Sequence, residues 1–346
     1  MTVKKNLQRG WVSPCTERPG LSSDVSGSMN NNDIRVAGKY STYRFPAGIL
    51  ATCPIPWDES FNFEEEVFRR AVKSLLVHTP LIYIFGTAGE GYAVNREEYI
   101  RIISVFTDEV KKKQAEPMIG IINLSMSEIF RRVEIAMDIG VRYFQISLPS
   151  WAVLSRKETE LFFKDILSAF PEADFLHYNL QRSGRILMPE EYMELSEKYS
   201  NFIGAKITSD STRYIEELLE LDLPLRFFFT SPGYAYASML GECGFLISTA
   251  SCNWDAAKQY YAAGCNGDVK TLMQLQMEIG NITRELISCV GDSGHIDGAF
   301  DKIFLKTHIR DFPLRLQPPY SYPPDSAFEQ FLDILKQKYP GWYEHL

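Results

Sequence analysis

The chain has 346 residues, 45% hydrophobic and 23% charged, a balance that fits a globular protein of one or two domains and excludes a fibrous or wholly disordered chain. Its 36 Lys and Arg against 44 Asp and Glu give a formal charge of -8, which argues against a nucleic-acid partner, and no basic stripe compensates. No run of about 18 apolar residues exists to cross a membrane, and six cysteines without a CxxC pair beside five scattered histidines offer no zinc spacing and imply a reduced, cytoplasmic setting.

Residues 1–40 include LSSDVSGSMNNNDIR and bury too little apolar surface to offset ordering entropy, so they read as a mobile tail; no signal-peptide apolar segment stands among them. The pattern becomes regular from about Ala47. GILAT (48–52) reads as a strand, followed by a helix in which Phe63, Val67, Ala71, Leu75 and Leu76 share a face, with Asn62 expected at the N-cap and Glu65 completing a capping box. LIYIF (81–85) is the second strand, and Asn95 with Glu98 repeats the capping device before a helix that ends in Lys111 to Lys113, cations that complement the helix dipole. MIGII (118–122) precedes a helix expected to open at Ser127 and close at Gly140; YFQISL (143–148) and DFLHY (174–178) are strands four and five. Pro189 opens the next helix, FIGAK (202–206), RFFFT (226–230) and FLIS (245–248) complete the strands, and Asn253 starts a helix expected to be capped by Gly264.

Eight strand-like runs separated by roughly 20 to 37 residues match right-handed βαβ units. The expected fold class is α/β, a closed (β/α)8 barrel over 45–265, rather than an open doubly wound sheet, because GILATCPIPW has no glycine-rich dinucleotide turn. Helical stretches around Val269 to Val290, Ala299 to Arg310 and Ala327 to Lys338 form a C-terminal helical extension over 266–346.

Such barrels place their chemistry at the C-terminal ends of the strands. GTAGEG (86–91), Tyr178 with Asn179, Lys206, and Ser248 with Thr249 all fall on that rim. A strand-end lysine is ordinarily paired with a carboxylate; in an apolar surround it becomes instead a nucleophile able to form a Schiff base. A phenol on the adjacent strand, at Tyr178, is either a core tyrosine or a proton carrier beside that lysine. GTAGEG offers backbone N–H groups and the Thr87 hydroxyl to an anion, but it satisfies neither a P-loop nor a Rossmann fingerprint, and Glu90 reads as a structural tie. His177 should face the helices, and DSGHIDG (292–298) reads as a loop because its third and fifth positions lack calcium-binding oxygens.

In order across about residues 45 to 320, GTAGEG, Tyr178-Asn179, Lys206 and GFLIS (244–248) resemble the dihydrodipicolinate synthase and N-acetylneuraminate lyase family of class I aldolases. The resemblance implies that Lys206 forms the imine with pyruvate or another 2-keto acid and that Tyr178 shuttles protons. It implies that Thr87 and the backbone of Ala88 hold the keto-acid carboxylate, that Thr208 contacts substrate, and that Arg182 or Arg185 meets a second carboxylate; Ser248 completes the substrate-binding set. It also implies a homo-oligomer, dimer or tetramer. The imine is its own electron sink, so no cofactor is needed.

Departures from the family pattern are specific. Ala88 stands where a second hydroxyl residue is usual, and Ser150-Trp151 where synthases carry a Tyr-Tyr pair, which makes Trp151 the candidate neighbour-subunit contact. YNLQRSGR is one residue shorter than the synthase pattern and lacks its proline. Gly233-Tyr234-Ala235-Tyr236 lacks the two carboxylates that sialic acid lyases direct at a sugar chain, which implies a less hydroxylated second substrate or product. The leading expectation is an aldolase or lyase working through Lys206. The alternatives are a sugar-acid dehydratase using the same imine, or a keto-acid-binding barrel that has lost turnover, the latter motivated by Ala88 and Trp151.

Overall fold

The computed structural model describes residues 43–291 and 295–345; the tail expected over 1–40, and three of the seven residues of the loop expected over 292–298, lie outside them, and the last two of that stretch open a helix. Eight parallel strands close a barrel in chain order, with β8 returning to pair with β1. They are β1 (Ile49–Thr52), β2 (Ile82–Ile84), β3 (Met118–Gly120), β4 (Tyr143–Ile146), β5 (Asp174–Asn179), β6 (Phe202–Ile207), β7 (Arg226–Phe229) and β8 (Gly244–Leu246). Nearly every strand residue is buried, because the sheet is covered by helices outside and filled inside. That is why these runs are continuously apolar in the sequence.

The helices alternate with the strands as α1 (Glu65–Leu76), α2 (Arg96–Lys112), α3 (Met126–Asp138), α4 (Arg156–Ala169), α5 (Pro189–Lys198), α6 (Thr212–Glu220), α7 (Ser231–Leu240) and α8 (Trp254–Asn266). Four more follow: α9 (Val269–Val290), α10 (Asp297–His308), α11 (Asp325–Lys338) and the short α12 (Pro340–Tyr343). None of the helices among the described residues is long and apolar enough to cross a membrane.

Two apolar cores result. The larger lies between strands and helices; the smaller fills the barrel, with Leu50, Tyr83, Met118, Leu176, Phe228 and Leu246 drawn from six strands. Phe45 packs edge-on against Tyr143 and Phe228 beneath them. Arg44 next to it donates to the carbonyls of Ser196, Tyr199 and Phe202, tying the segment before β1 to the start of β6.

Three helix boundaries differ from expectation. Asn62 does not cap α1: its amide meets the Asp58 carboxylate in a tight turn and the helix starts at Glu65, with Glu64 at the N-cap. Ser125, not Ser127, precedes α3, and the two hydroxyls meet at 2.9 Å. Gly264 is inside α8, where a Cβ would lie 2.5 Å from the Tyr234 hydroxyl; the left-handed cap is Gly267, at φ 70°. The Asn95 and Glu98 capping box and the Asn253 cap form as expected.

The C-terminal helices serve two places. α9 packs on α7, α8 and α11, at the outside of the barrel. α10 reaches the C-terminal mouth, where Gly298 sits against Ala88 and Asp297 pairs with Arg182.

Candidate active site

Lys206 is the fifth residue of β6, and parallel register sets it beside Tyr178 of β5. Its side chain is 1% exposed and points into the barrel. The amine Nζ lies 2.7 Å from the Tyr83 hydroxyl and 2.8 Å from Gln145 Oε1, and stands 3.6 Å from the centre of the Tyr178 ring. No carboxylate lies within ion-pairing distance of it among the described residues. Lys206 is therefore not the strand-end lysine of a structural salt bridge.

Burial disfavours the ammonium form and pushes the Lys206 pKa down to about 7, against the opposing pull of Asp301 and Asp297 on α10. A large fraction of the amine is then neutral near physiological pH, which a nucleophile requires. Burial acts on the phenol in the other direction, pushing Tyr178 up to about 12, so it keeps its proton. The Tyr178 hydroxyl is 3.5 Å from Thr87 Oγ1, the long limit of a hydrogen bond, which joins the phenol to the turn after β2.

That turn is shaped by close approach rather than by glycine φ. The positive φ angles fall on Phe85 and Glu90, at 59° and 54°. Gly89 and Gly91 fold back over Phe85 so closely that a Cβ would lie 2.5 Å from its nitrogen or 2.6 Å from its oxygen. Glu90 is fully buried, pairs with Lys302 at 2.6 Å, and accepts from Trp57 Nε1 and the Gln317 amide. It is the structural tie expected of it, binding the turn to α10 and to the segment beyond.

The two arginines of the 181–185 segment separate. Arg182 Nη1 lies 3.4 Å from Thr87 Oγ1 and its guanidinium pairs with Asp297 at 3.2 Å on the rim of the site. Arg185 turns outward to Thr159, the Ser155 carbonyl and Glu191, between α4 and α5. Thr208 follows β6 and donates to the Asn179 carbonyl at 2.9 Å, bracing the ends of β5 and β6. Ser248 stands just beyond β8, where its carbonyl receives the Ser251 hydroxyl and amide.

Trp151 is 88% exposed and takes no part in the site of its own chain. In the stretch expected to face a second substrate, Tyr234 is buried with its hydroxyl on the Tyr261 carbonyl, and Tyr236 meets Glu216 of α6. Both rings serve the helical layer. His177 likewise faces outward, with Nδ1 2.9 Å from the Tyr192 hydroxyl, and burial holds its pKa down to about 3.

The structure adds four residues that sequence reasoning did not single out. Tyr83 and Gln145 cross the barrel to hold the lysine; the available signal was a phenol and a carboxamide at inward positions of otherwise apolar strands. Asp297 and Asp301 come from α10, far along the chain from the other parts, and burial beside Asp297 pushes the Asp301 carboxyl up to about 8. No group of His, Cys, Asp and Glu suited to a metal ion occurs among the described residues.

The family model described as the dihydrodipicolinate synthetase family matches residues 45–294. An N-acetylneuraminate lyase of Clostridium perfringens is 22% identical over 251 residues, covering 71% of this chain and 85% of the relative. A 4-hydroxy-tetrahydrodipicolinate synthase of Methanopyrus kandleri is 27% identical over 251 residues, covering 70% and 81%. Among solved structures, a prophage protein of the dihydrodipicolinic acid synthase family from Escherichia coli K12, in complex with pyruvate, superposes with a TM-score of 0.72 at 17% identity, over 84% of this chain and 98% of that one.

Proposed function

The chain belongs to the dihydrodipicolinate synthetase family, and from that premise we propose that it is a Schiff-base-forming aldolase or lyase acting on pyruvate or a related 2-keto acid. The observation that carries this reading is the Lys206 amine: buried, free of a carboxylate partner, shifted toward neutrality, and touching the ring of Tyr178. In the proposed reaction the amine attacks the ketone carbon, a proton passes to the oxygen through the Tyr178 hydroxyl, and water leaves as the imine forms. The iminium then accepts the electron pair of the carbon-carbon bond being broken, or releases it into the bond being made. Thr87 and the backbone at Ala88 hold the carboxylate, with Arg182 at the rim and Thr208 and Ser248 at the ends of β6 and β8.

The same reading makes the protein a cytoplasmic homo-oligomer, dimer or tetramer, in which the exposed Trp151 and Val153 of the segment after β4 meet a second copy. Gly233-Tyr234-Ala235-Tyr236 of α7 carries no carboxylate and both of its rings lie in the helical layer, in keeping with a less hydroxylated partner.

A panel of 2-keto acids with borohydride trapping tests this function. A covalent adduct with pyruvate or a close relative, together with carbon-carbon cleavage or condensation in product analysis, is the expected result. Loss of water from a deoxy-keto sugar acid without chain cleavage would identify a dehydratase. Stabilisation by pyruvate with no trapped adduct would identify a binding barrel.

A further inference from the structure

Lys206 is held from two sides by groups that reach across the barrel from β2 and β4. Tyr83 and Gln145 both pass in front of Gly86, where an added Cβ would lie 2.8 Å from Tyr83 Cε2 and 3.4 Å from Gln145 Nε2. The absent side chain of Gly86 therefore leaves the space through which both groups reach the amine. Gln145 is fully buried, with Oε1 2.8 Å from Lys206 Nζ, while its Nε2 has no hydrogen-bond partner. The carboxamide oxygen faces the amine and accepts its N–H, and the NH2 group faces away. A buried donor without a partner is costly, and this one lies beside the residue that begins the GTAGEG turn.

Resting on the Schiff-base reading, we propose that Gln145 receives the keto oxygen: its Oε1 orients the Lys206 amine while its Nε2 donates to the oxygen of the bound 2-keto acid, with Tyr83 fixing the amine from the other side. A keto acid with its carboxylate at Thr87 and Ala88 has its ketone one bond away, next to Gly86 and the idle Nε2. As the nitrogen lone pair forms the C–N bond, the π pair of the carbonyl moves onto oxygen, and the Nε2 hydrogen bond steadies that charge. A proton leaves nitrogen and reaches the oxygen through Tyr178, giving the carbinolamine. A second transfer by the same hydroxyl releases the oxygen as water and leaves the imine. Gln145 itself exchanges no proton. It touches the reacting oxygen and so is a catalytic residue, whereas Tyr83 acts through the lysine and is a positioning residue.

The test measures the rate and pH profile of borohydride-trapped imine formation with pyruvate for wild type, Gln145→Leu, Gln145→Glu and Tyr83→Phe, with thermal unfolding of each. Gln145→Leu is expected to slow trapping on the order of 100-fold, the low end for loss of one preorganised oxyanion donor. Gln145→Glu keeps an acceptor but sets an anion beside the amine, so its trapping profile should move to higher pH. Tyr83→Phe, which leaves Gln145 in place, should lower the rate less than Gln145→Leu. Trapping in Gln145→Leu at the wild-type rate would overturn the assignment of Gln145 while leaving the Schiff-base reading intact. If Gln145→Leu does not fold, the plateau rate of Gln145→Glu above its shifted midpoint decides, because a carboxylate has no N–H to donate: a wild-type plateau would overturn the assignment and a lowered one is expected. Absence of any adduct in wild type would instead overturn the Schiff-base reading on which the assignment rests.

Discussion

Lys206 and Tyr178 are register partners on β6 and β5, and the amine of the first stands 3.6 Å from the ring centre of the second. The pairing brings the proposed nucleophile and the proposed proton carrier together without any loop, on two strands paired from Phe175 to Asn179. Replacing Tyr178 with Phe keeps the ring that packs on the amine and removes only the hydroxyl. Turnover is expected to fall about 100- to 10,000-fold, the range for loss of a general acid-base group, with the protein still stabilised by pyruvate. Unchanged turnover in steady-state kinetics would remove Tyr178 from the mechanism.

The pH dependence follows from the direction of two shifts. Burial lowers Lys206 to about 7 and raises Tyr178 to about 12. In the proposed reaction the neutral amine and the protonated phenol are the active forms, so imine formation should rise with pH up to about 7 and then hold a broad plateau on the alkaline side. A trapping-rate profile that rises only near pH 10 would mean an amine with its ordinary affinity for protons.

Arg182 is shared between Thr87 and Asp297 at the mouth of the site, and its ion pair is half exposed, so the substrate carboxylate proposed to bind there would compete with Asp297. Arg182→Leu should raise KM for the carboxylate-bearing substrate at least tenfold with a smaller change in kcat. Asp297→Asn should lower KM by releasing the guanidinium. Kinetics in which both variants leave KM unchanged would remove Arg182 from substrate binding.

The buried pair Glu90 and Lys302 ties down the turn that holds Thr87 and Ala88, the proposed carboxylate site. Lys302→Met leaves the Glu90 carboxylate uncompensated in the interior, and denaturant unfolding should show a loss of about 3–5 kcal/mol. The double variant Glu90→Gln, Lys302→Met should lose less than the sum of the singles. A loss below about 1 kcal/mol in the single variant would place the pair among exposed ones.

The barrel was legible because parallel strands covered on both faces leave continuous apolar runs, and all eight appear where those runs do. Helix ends were less so. Asn62 looks like an N-cap by residue type, but Asp58 four residues earlier captures its amide in a turn; Gly264 looks like a C-cap, but its missing side chain makes room for Tyr234 inside α8. That Lys206 and Tyr178 stand together on one rim was readable from the strand ends; the roles expected of them came from the family resemblance. The choice between Arg182 and Arg185 was not, since the short turn between them decides which points inward. Tyr83 and Gln145 could not be matched to Lys206 from a two-residue period, which says which residues face inward but not which meet across the barrel.

The most direct measurement is peptide mapping by mass spectrometry after incubation with pyruvate and borohydride. The account predicts a reduced pyruvyl adduct on the peptide containing Lys206, absent in Lys206→Ala. An adduct confined to another lysine, or retained in that variant, would contradict it.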